Sequence, residues 1–331
     1  MLSRVANAIY WTSRYLERSE NICRFIYVNL HHMMDLDIDN NEFWFSLVMA
    51  SGDEELFLKN YKDRSKESIL KFLVLDKKNP NSIVSCTKLA RENARTIREV
   101  ISAKMWEDIN NLYWLTEKFS KKKKLGKELE GFLSNFQSVY LSFLGSSEST
   151  MNHHEAWHFL RTGRLLERAD KTGRILDVKY FQLQATHKSS EDARMYSVVI
   201  SKSLLKSASA LEMYKKNFPQ INPHNVASYL ISSNFFPRSM MFCLVKIQES
   251  LTTILEFNKN PHGELVAKEV EKLVSEILEE SKKELHNKQV HRFIDVFQDN
   301  LNHLDTLLYK TFFSSEEKIE KQQETSYQQQ G

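Results

Sequence analysis

The chain has 331 residues, a formal net charge of +3, and only 8 glycines and 5 prolines. Lysine and glutamate are interspersed along it, which argues against a nucleic-acid-binding protein with basic charge concentrated on one face. Few turn-forming residues favour long helices over short strands, so the sequence predicts an all-α fold, a bundle of long helices.

The first half of the chain, residues 1–145, is predicted to form a series of amphipathic helices. The opening helix runs from Ser3 to Met34, and a short buried helix follows over Glu42–Ala50. The predicted N-caps of the later helices are Asp53, Ser65, Ser82 and Ser102. Gly145–Ser149 is predicted to be a hinge between two halves.

The second half, residues 151–313, is predicted to open with a long helix from about Met151 to Gln184. Helix starts are predicted at Ser190, at Asn222-Pro223 and at Asn234–Pro237, followed by a closing hairpin over Glu264–Leu285 and Gln289–Phe312. Residues 314–331 are rich in glutamate, lysine and glutamine without an apolar period, which predicts a disordered tail.

One charged motif occurs twice in the chain. Arg14, Glu17, Arg18 and Arg24 recur 150 residues later as Arg164, Glu167, Arg168 and Arg174. Repetition at so long a spacing predicts two related helical halves, an internal duplication, instead of an array of short repeats.

The repeated residues fall on one face of a helix. Arg14 and Arg18 would repel each other at this i,i+4 spacing unless an anion lies between them. Arginine is also the residue suited to bidentate contact with carboxylate or phosphate. The alternative is a solvated face with Glu–Arg pairs. We predict a cluster that orients the two halves and holds an anionic group, formed by Arg14, Glu17, Arg18, Glu20, Asn21, Arg24, Glu92, Asn93, Arg95, Arg164, Glu167, Arg168, Asp170, Arg174 and Arg238.

Glu17 and Glu167 are also candidates for a general acid or base, which would make the protein an enzyme. A carboxylate flanked by arginines has a lowered pKa, however, and this suits an electrostatic role better than proton transfer at neutral pH. A non-catalytic role is therefore preferred, and no cofactor is predicted.

His154-Glu155-Ala156-Trp157-His158 fits the H-E-x-x-H pattern of zinc hydrolases. A third ligand is missing, because Arg161 and Arg164 occupy the stretch in which the metzincin pattern continues to its third histidine. The sequence therefore predicts no metal site, with a zinc hydrolase kept as the weaker alternative.

Three cysteines, Cys23, Cys86 and Cys243, have no paired spacing and lie in apolar helical contexts. They are predicted to be buried free thiols of a cytoplasmic protein. No stretch reaches the roughly 18 apolar residues needed to cross a bilayer, and no membrane association is predicted.

Four segments resemble the alpha-E domain family, a bacterial all-helical family of unassigned biochemical function. They are residues 1–30, the segment LARENARTIREVIS at 89–102, the W-x-F-L-x-x-G-R-x-L-E-R-A-D pattern at Trp157–Asp170, and FPRSMMFCL at 236–244. The resemblance implies a place beside a circularly permuted ATP-grasp protein, and sometimes a transglutaminase-like protein, in a peptide- or amide-forming system. By motif it carries over Glu17 and Glu167, with Glu92 a weaker match.

Overall fold

The computed structural model describes residues 1–36, 41–122, 125–126, 128–184, 191–258, 260, 262–281 and 287–314. Within these residues the chain forms fourteen α-helices and no strand, which confirms the predicted all-α fold. The helices are α1 (Ser3–Leu36), α2 (Asn41–Ser51), α3 (Glu54–Asn60), α4 (Lys66–Leu70), α5 (Ile83–Arg95), α6 (Ala103–Ser120), α7 (Glu128–Ser149), α8 (Glu155–Gln184), α9 (Glu191–Ser207), α10 (Leu211–Asn217), α11 (Pro223–Ser232), α12 (Met240–Phe257), α13 (Gly263–Ser281) and α14 (Asn287–Leu308). Short π-helical segments, Lys71–Leu75 and Tyr309–Phe313, extend α4 and α14.

The two longest helices, α1 and α8, pack against each other at the centre of the bundle. They contain 34 and 30 residues, so they are roughly 50 and 45 Å long at about 1.5 Å per residue. α5 covers α1 and α12 covers α8, and these contacts are, with the central pair, the most extensive in the described structure. α2 packs on α8 and α9 packs on α1, so each half supplies a helix to the other.

Close approach of the two central helices depends on Gly163 in α8. A Cβ atom at this position would lie 2.5 Å from the Tyr10 carbonyl oxygen and 2.5 Å from the Ser13 hydroxyl of α1. Such distances are far inside van der Waals contact, so the absence of a side chain at Gly163 lets the helices meet.

Four helices begin at the predicted caps. The hydroxyl groups of Ser65, Ser82 and Ser102 accept hydrogen bonds from backbone amides in the first turns of α4, α5 and α6. Asn222 caps α11 in the same way, with Pro223 in the first turn.

Three predictions of local structure are wrong. Asp53 precedes α3 but its side chain makes no capping hydrogen bond. The start predicted at Asn234–Pro237 lies at Ser239, which caps α12. Gly145–Ser149 is not a hinge, because it forms the last turns of α7. The tail predicted to be disordered lies, from residue 315 onward, outside the described residues.

The two halves share specific contacts beyond the repeated motif, at a second offset of 157 residues. The thiols of Cys86 and Cys243, both buried and free as predicted, donate to the carbonyl oxygens of Pro80 and Pro237 at 3.6 and 3.7 Å. Two stacked ring pairs also correspond, Phe57 with Tyr61 and Tyr214 with Phe218. Common ancestry of the halves stays a prediction, which these matched contacts favour.

Candidate functional site: a buried arginine and carboxylate cluster

Glu167 of α8 is bound by two arginines of α1. Arg18 makes a two-pronged contact, Nε to Oε1 at 2.7 Å and Nη2 to Oε2 at 2.8 Å. Arg14 donates from Nε to Oε2 at 3.0 Å. The carboxylate is fully buried, and it is the anion that allows Arg14 and Arg18 to lie one helical turn apart.

Glu17 of α1 is bound in the reciprocal manner by Arg168 of α8. Arg168 donates from Nε to Oε1 at 2.8 Å and from Nη2 to Oε2 at 3.0 Å. Arg238, just before α12, adds a contact from Nη1 to Oε1 at 3.0 Å, and the Tyr140 hydroxyl of α7 donates to Oε2. Two charge-assisted bidentate pairs therefore join the central helices crosswise.

A second layer of carboxylates lies one turn further along each helix. Glu20 accepts from Arg24 at 2.9 Å and from Arg238 at 3.1 Å. Asp170 accepts from Arg174 at 2.9 Å and lies 3.2 Å from the Lys171 ammonium. These pairs extend the network across both halves.

The outer arginines are paired with carboxylates from the last helix of each half. Arg14 lies 2.7 Å from Asp305 of α14, and Arg164 lies 3.0 Å from Glu148 of α7. Arg14 and Arg164 correspond at an offset of 150 residues, and the two acidic partners at 157. The cluster thus links α1 and α8 to both closing helices.

The environment keeps both central carboxylates ionised. Burial raises the pKa of Glu17, but Arg168 and Arg238 outweigh it and hold that pKa far below its ordinary value. Burial raises the pKa of Glu167 as well, and Arg18 and Arg14 lower it further than burial raises it. Both groups are therefore anions at neutral pH, saturated by guanidinium donors.

Three residues predicted for the cluster lie elsewhere. Glu92, Asn93 and Arg95 belong to the outer part of α5, where the Glu92 side chain is 42% exposed and the Arg95 side chain 63% exposed. Glu92 pairs with Arg91 and Arg95 at the surface. The local likeness of this segment to the repeated motif was misleading, because the buried face of α5 is set by Ile83, Ala90 and Ala94.

Sequence reasoning missed several members of the cluster. Tyr140 and Asp305 carry no local motif and lie more than a hundred residues from their partners. Glu148 lies only 16 residues from Arg164, but it carries no local motif either. Lys171 lies within the repeated segment, but the repeat does not keep its charge, since the counterpart at an offset of 150 residues is Asn21. Asn81 was also missed, although it accepts a hydrogen bond from Arg18 Nη1 at 2.5 Å.

A polar cleft opens on one side of the cluster. It encloses about 160 Å³. Its lining includes Arg14, Arg18, Ser51, Gly52, Asn81, Asp170, Lys171 and Arg174, with Leu166, Leu301 and Asn302 completing the wall. Four cationic side chains and one carboxylate thus face this space.

The two histidines of the H-E-x-x-H pattern do not meet a third ligand within the described part of the chain. There, the one grouping of three or more histidine, cysteine or acidic side chains with metal-ligand spacing is Asp177, His291 and Asp295. Burial lowers the pKa of His158, and Arg161 and His153 lower it further. A neighbouring guanidinium also disfavours a bound cation.

Asp177, His291 and Asp295 form a partly exposed triad in which the imidazole bridges the acids. Its Nδ1 lies 2.6 Å from Asp177 and its Nε2 lies 3.5 Å from Asp295. Hydrogen bonding to Asp177 raises the pKa of His291. The geometry is that of an imidazole placed between two carboxylates, and a protonated ring would pair with both.

No helix in the described ranges is long and apolar enough to span a bilayer.

Comparison with known proteins places these observations in a family. Relatives from Mycobacterium bovis and Mycobacterium tuberculosis, both uncharacterised, are 23% identical over 266 residues. The match covers 75% of this chain but 29% of each relative, so the chain spans less than a third of their length. No solved structure matches.

The family description names a predicted α-helical domain with a conserved ER motif. The chain contains two Glu-Arg steps, Glu17-Arg18 and Glu167-Arg168, and these are the residues that pair crosswise at its centre. The family model matches residues 1–313, and the chain belongs to the Alpha-E family.

Proposed function

We propose that this protein is a non-catalytic helical partner of a circularly permuted ATP-grasp ligase in a peptide- or amide-forming system. Its arginine and carboxylate cluster holds an anionic group of the substrate. The observation that carries the proposal is the saturated pairing of Glu17 and Glu167, together with a cleft that is lined by four cationic side chains and includes both arginines bound to Glu167.

The geometry of the central carboxylates supports a binding role over acid–base catalysis. A general acid or base needs a pKa near the working pH and access to the proton that it transfers. Glu17 and Glu167 are fully buried, and their pKa values are lowered by arginines that already occupy their oxygens. Neither carboxylate is accessible to a substrate.

The length of the relatives supports a role within a larger assembly. In both mycobacterial proteins the matching region takes up 29% of the chain. In these relatives the matching domain is joined to a much longer chain, and a domain of this kind is a candidate for association with other domains through its surface. The resemblance described above implies an ATP-grasp ligase as that partner, and sometimes a transglutaminase-like protein as a second component.

Co-expression with a circularly permuted ATP-grasp protein from the same organism tests this proposal. A tag on the ligase should retain this chain in a defined stoichiometry through size-exclusion chromatography, and an ATP-grasp ligase from an unrelated pathway should not. Failure of the two proteins to co-purify would contradict the proposed function. Turnover of ATP or a peptide by the chain alone, abolished by Glu17→Gln, would favour the enzyme alternative.

A further inference from the structure

The two sides of the cluster differ at one position. Asn81 and Arg238 stand 157 residues apart, each directly after a proline whose carbonyl accepts a cysteine thiol and directly before the serine that caps α5 or α12. In the second half, the Arg238 guanidinium extends into the cluster and contacts Glu17 and Glu20. In the first half, Asn81 is too short to fill the corresponding space.

The charge that Arg238 supplies on one side comes from a different residue on the other. The counterparts of Glu17 and Glu20 are Glu167 and Asp170. The Lys171 ammonium lies 3.2 Å from Asp170 and 3.9 Å from Glu167. It also donates to the Ser51 carbonyl oxygen at 3.0 Å. Since a buried lysine pairs with these acids, no guanidinium is needed at position 81 itself, and the space stays open as the cleft.

The backbone of the cleft is shaped to keep one further guanidinium within it. Gly52 adopts a φ of +84°, which side chains rarely allow, and a Cβ atom there would lie 2.9 Å from Arg174 Nη1. Arg174 binds Asp170 through Nε. The guanidinium group therefore lies against the glycine, and 25% of the Arg174 side chain is exposed.

The volume of the cleft limits what it holds. A space of about 160 Å³ corresponds to roughly five water molecules at about 30 Å³ each. Sites for whole small molecules are usually about 300–1,000 Å³. The cleft therefore fits a charged end group, with the remainder of the molecule outside.

We infer that the cleft beside Asn81 is where the cluster takes its ligand, the carboxylate or phosphate end group of a larger molecule, and that Arg238 permanently closes the equivalent site in the other half. The inference deepens the proposed function and rests on its anion-binding role. Arg14, Arg18, Lys171 and Arg174 supply the cationic hydrogen-bond donors that line the cleft, and forked guanidinium groups match both kinds of oxyanion.

The test places an arginine at position 81, the position in the open half that corresponds to Arg238 in the closed half. Isothermal titration with inorganic phosphate and with alanylglutamate is carried out on the wild type, on Asn81→Arg and on the matched control Asn135→Arg, whose site is an exposed position of α7. The wild type and the control should bind one or both probes, and Asn81→Arg should bind them at least about tenfold more weakly. Binding of phosphate alone would identify a phosphate end group, and binding of the dipeptide alone would identify a carboxylate.

Absence of binding to the wild type, or binding to Asn81→Arg equal to that of the control, would overturn the inference. Arg174→Gln provides a second variant should Asn81→Arg fail to fold, because it removes a cation from a partly exposed position without filling the cleft. It should weaken binding by at least about tenfold as well. Association with the ligase is measured on the same variants, so loss of probe binding with an intact complex separates this inference from the proposed function.

Discussion

Glu17→Gln is the substitution whose cost the structure specifies most closely. Glutamine keeps the shape of the side chain but removes the charge that pairs with Arg168 and Arg238 in a site with no solvent exposure. Removing one partner of a buried ion pair costs about 3–5 kcal/mol, because the remaining charges are left uncompensated. We expect a loss of this size in the free energy of unfolding.

Glu92→Gln is the matched control for this prediction. It is the same chemical change at a glutamate that pairs with Arg91 and Arg95 on the surface, with 42% of its side chain exposed. Exposed pairs contribute about 0–1 kcal/mol. The two variants should therefore differ by at least about 2 kcal/mol.

Urea unfolding followed by far-ultraviolet circular dichroism measures both free energies. The same dependence of the unfolding free energy on urea concentration in both variants shows that their transitions are comparable. If the two substitutions lower the free energy of unfolding by amounts that agree within about 0.5 kcal/mol, the reasoning is refuted. Such agreement would mean that the buried cluster contributes no more than a surface pair.

Three further predictions follow from the same structure. The pKa values of Glu17 and Glu167 are lowered in the folded state, so the stabilisation that they contribute is present above the unfolded value of about 4.3 and is lost as the pH falls below that value. Urea midpoints between about pH 7 and 3 should decline less steeply in Glu17→Gln, and an unchanged slope would contradict this. Gly163→Ala should lower the free energy of unfolding by about 1–3 kcal/mol through overpacking against Tyr10 and Ser13. The control Gly131→Ala, in α7 with no atom within 4 Å of the added methyl, should raise it by about 0.5–1 kcal/mol. Equal effects of the two substitutions in thermal unfolding would count against the close helix contact. Leu16→Ala should cost about 2–5 kcal/mol because Leu16 is fully buried, and Leu141→Ala, at a position 64% exposed, should stay within about 0.5 kcal/mol of wild type.

The parts of the site that could be predicted are those encoded by helical spacing within a single segment. The repeated arginines and glutamates of α1 and α8 lie on one face at i, i+3 and i+4, and the repulsion between Arg14 and Arg18 called for an anion between them. The anion proved to be Glu167, a residue of the motif itself. Local spacing gave the donors and acceptors, but not their crosswise pairing.

The remaining members could not be predicted because the two halves do not keep one spacing. α2 has 11 residues and α9 has 17, and the correspondence shifts from 150 to 157 residues between the opening helix and the helices that follow. A comparison of the two halves at an offset of 150 residues therefore misses the match between Asn81 and Arg238 and the match between Glu148 and Asp305. The prediction that Glu92 belongs to the cluster is wrong for a different reason. Its local sequence resembles the motif, but the residue lies on the solvent-facing side of its helix.

A double-mutant cycle between Glu17 and Arg168, which are 151 residues apart in the chain, tests the central claim most directly. The cycle compares the unfolding free energies of the wild type, Glu17→Gln, Arg168→Met and the double variant. A buried bidentate pair that joins the two halves predicts a coupling energy of at least about 1.5 kcal/mol. A coupling of zero within about 0.5 kcal/mol would contradict the account.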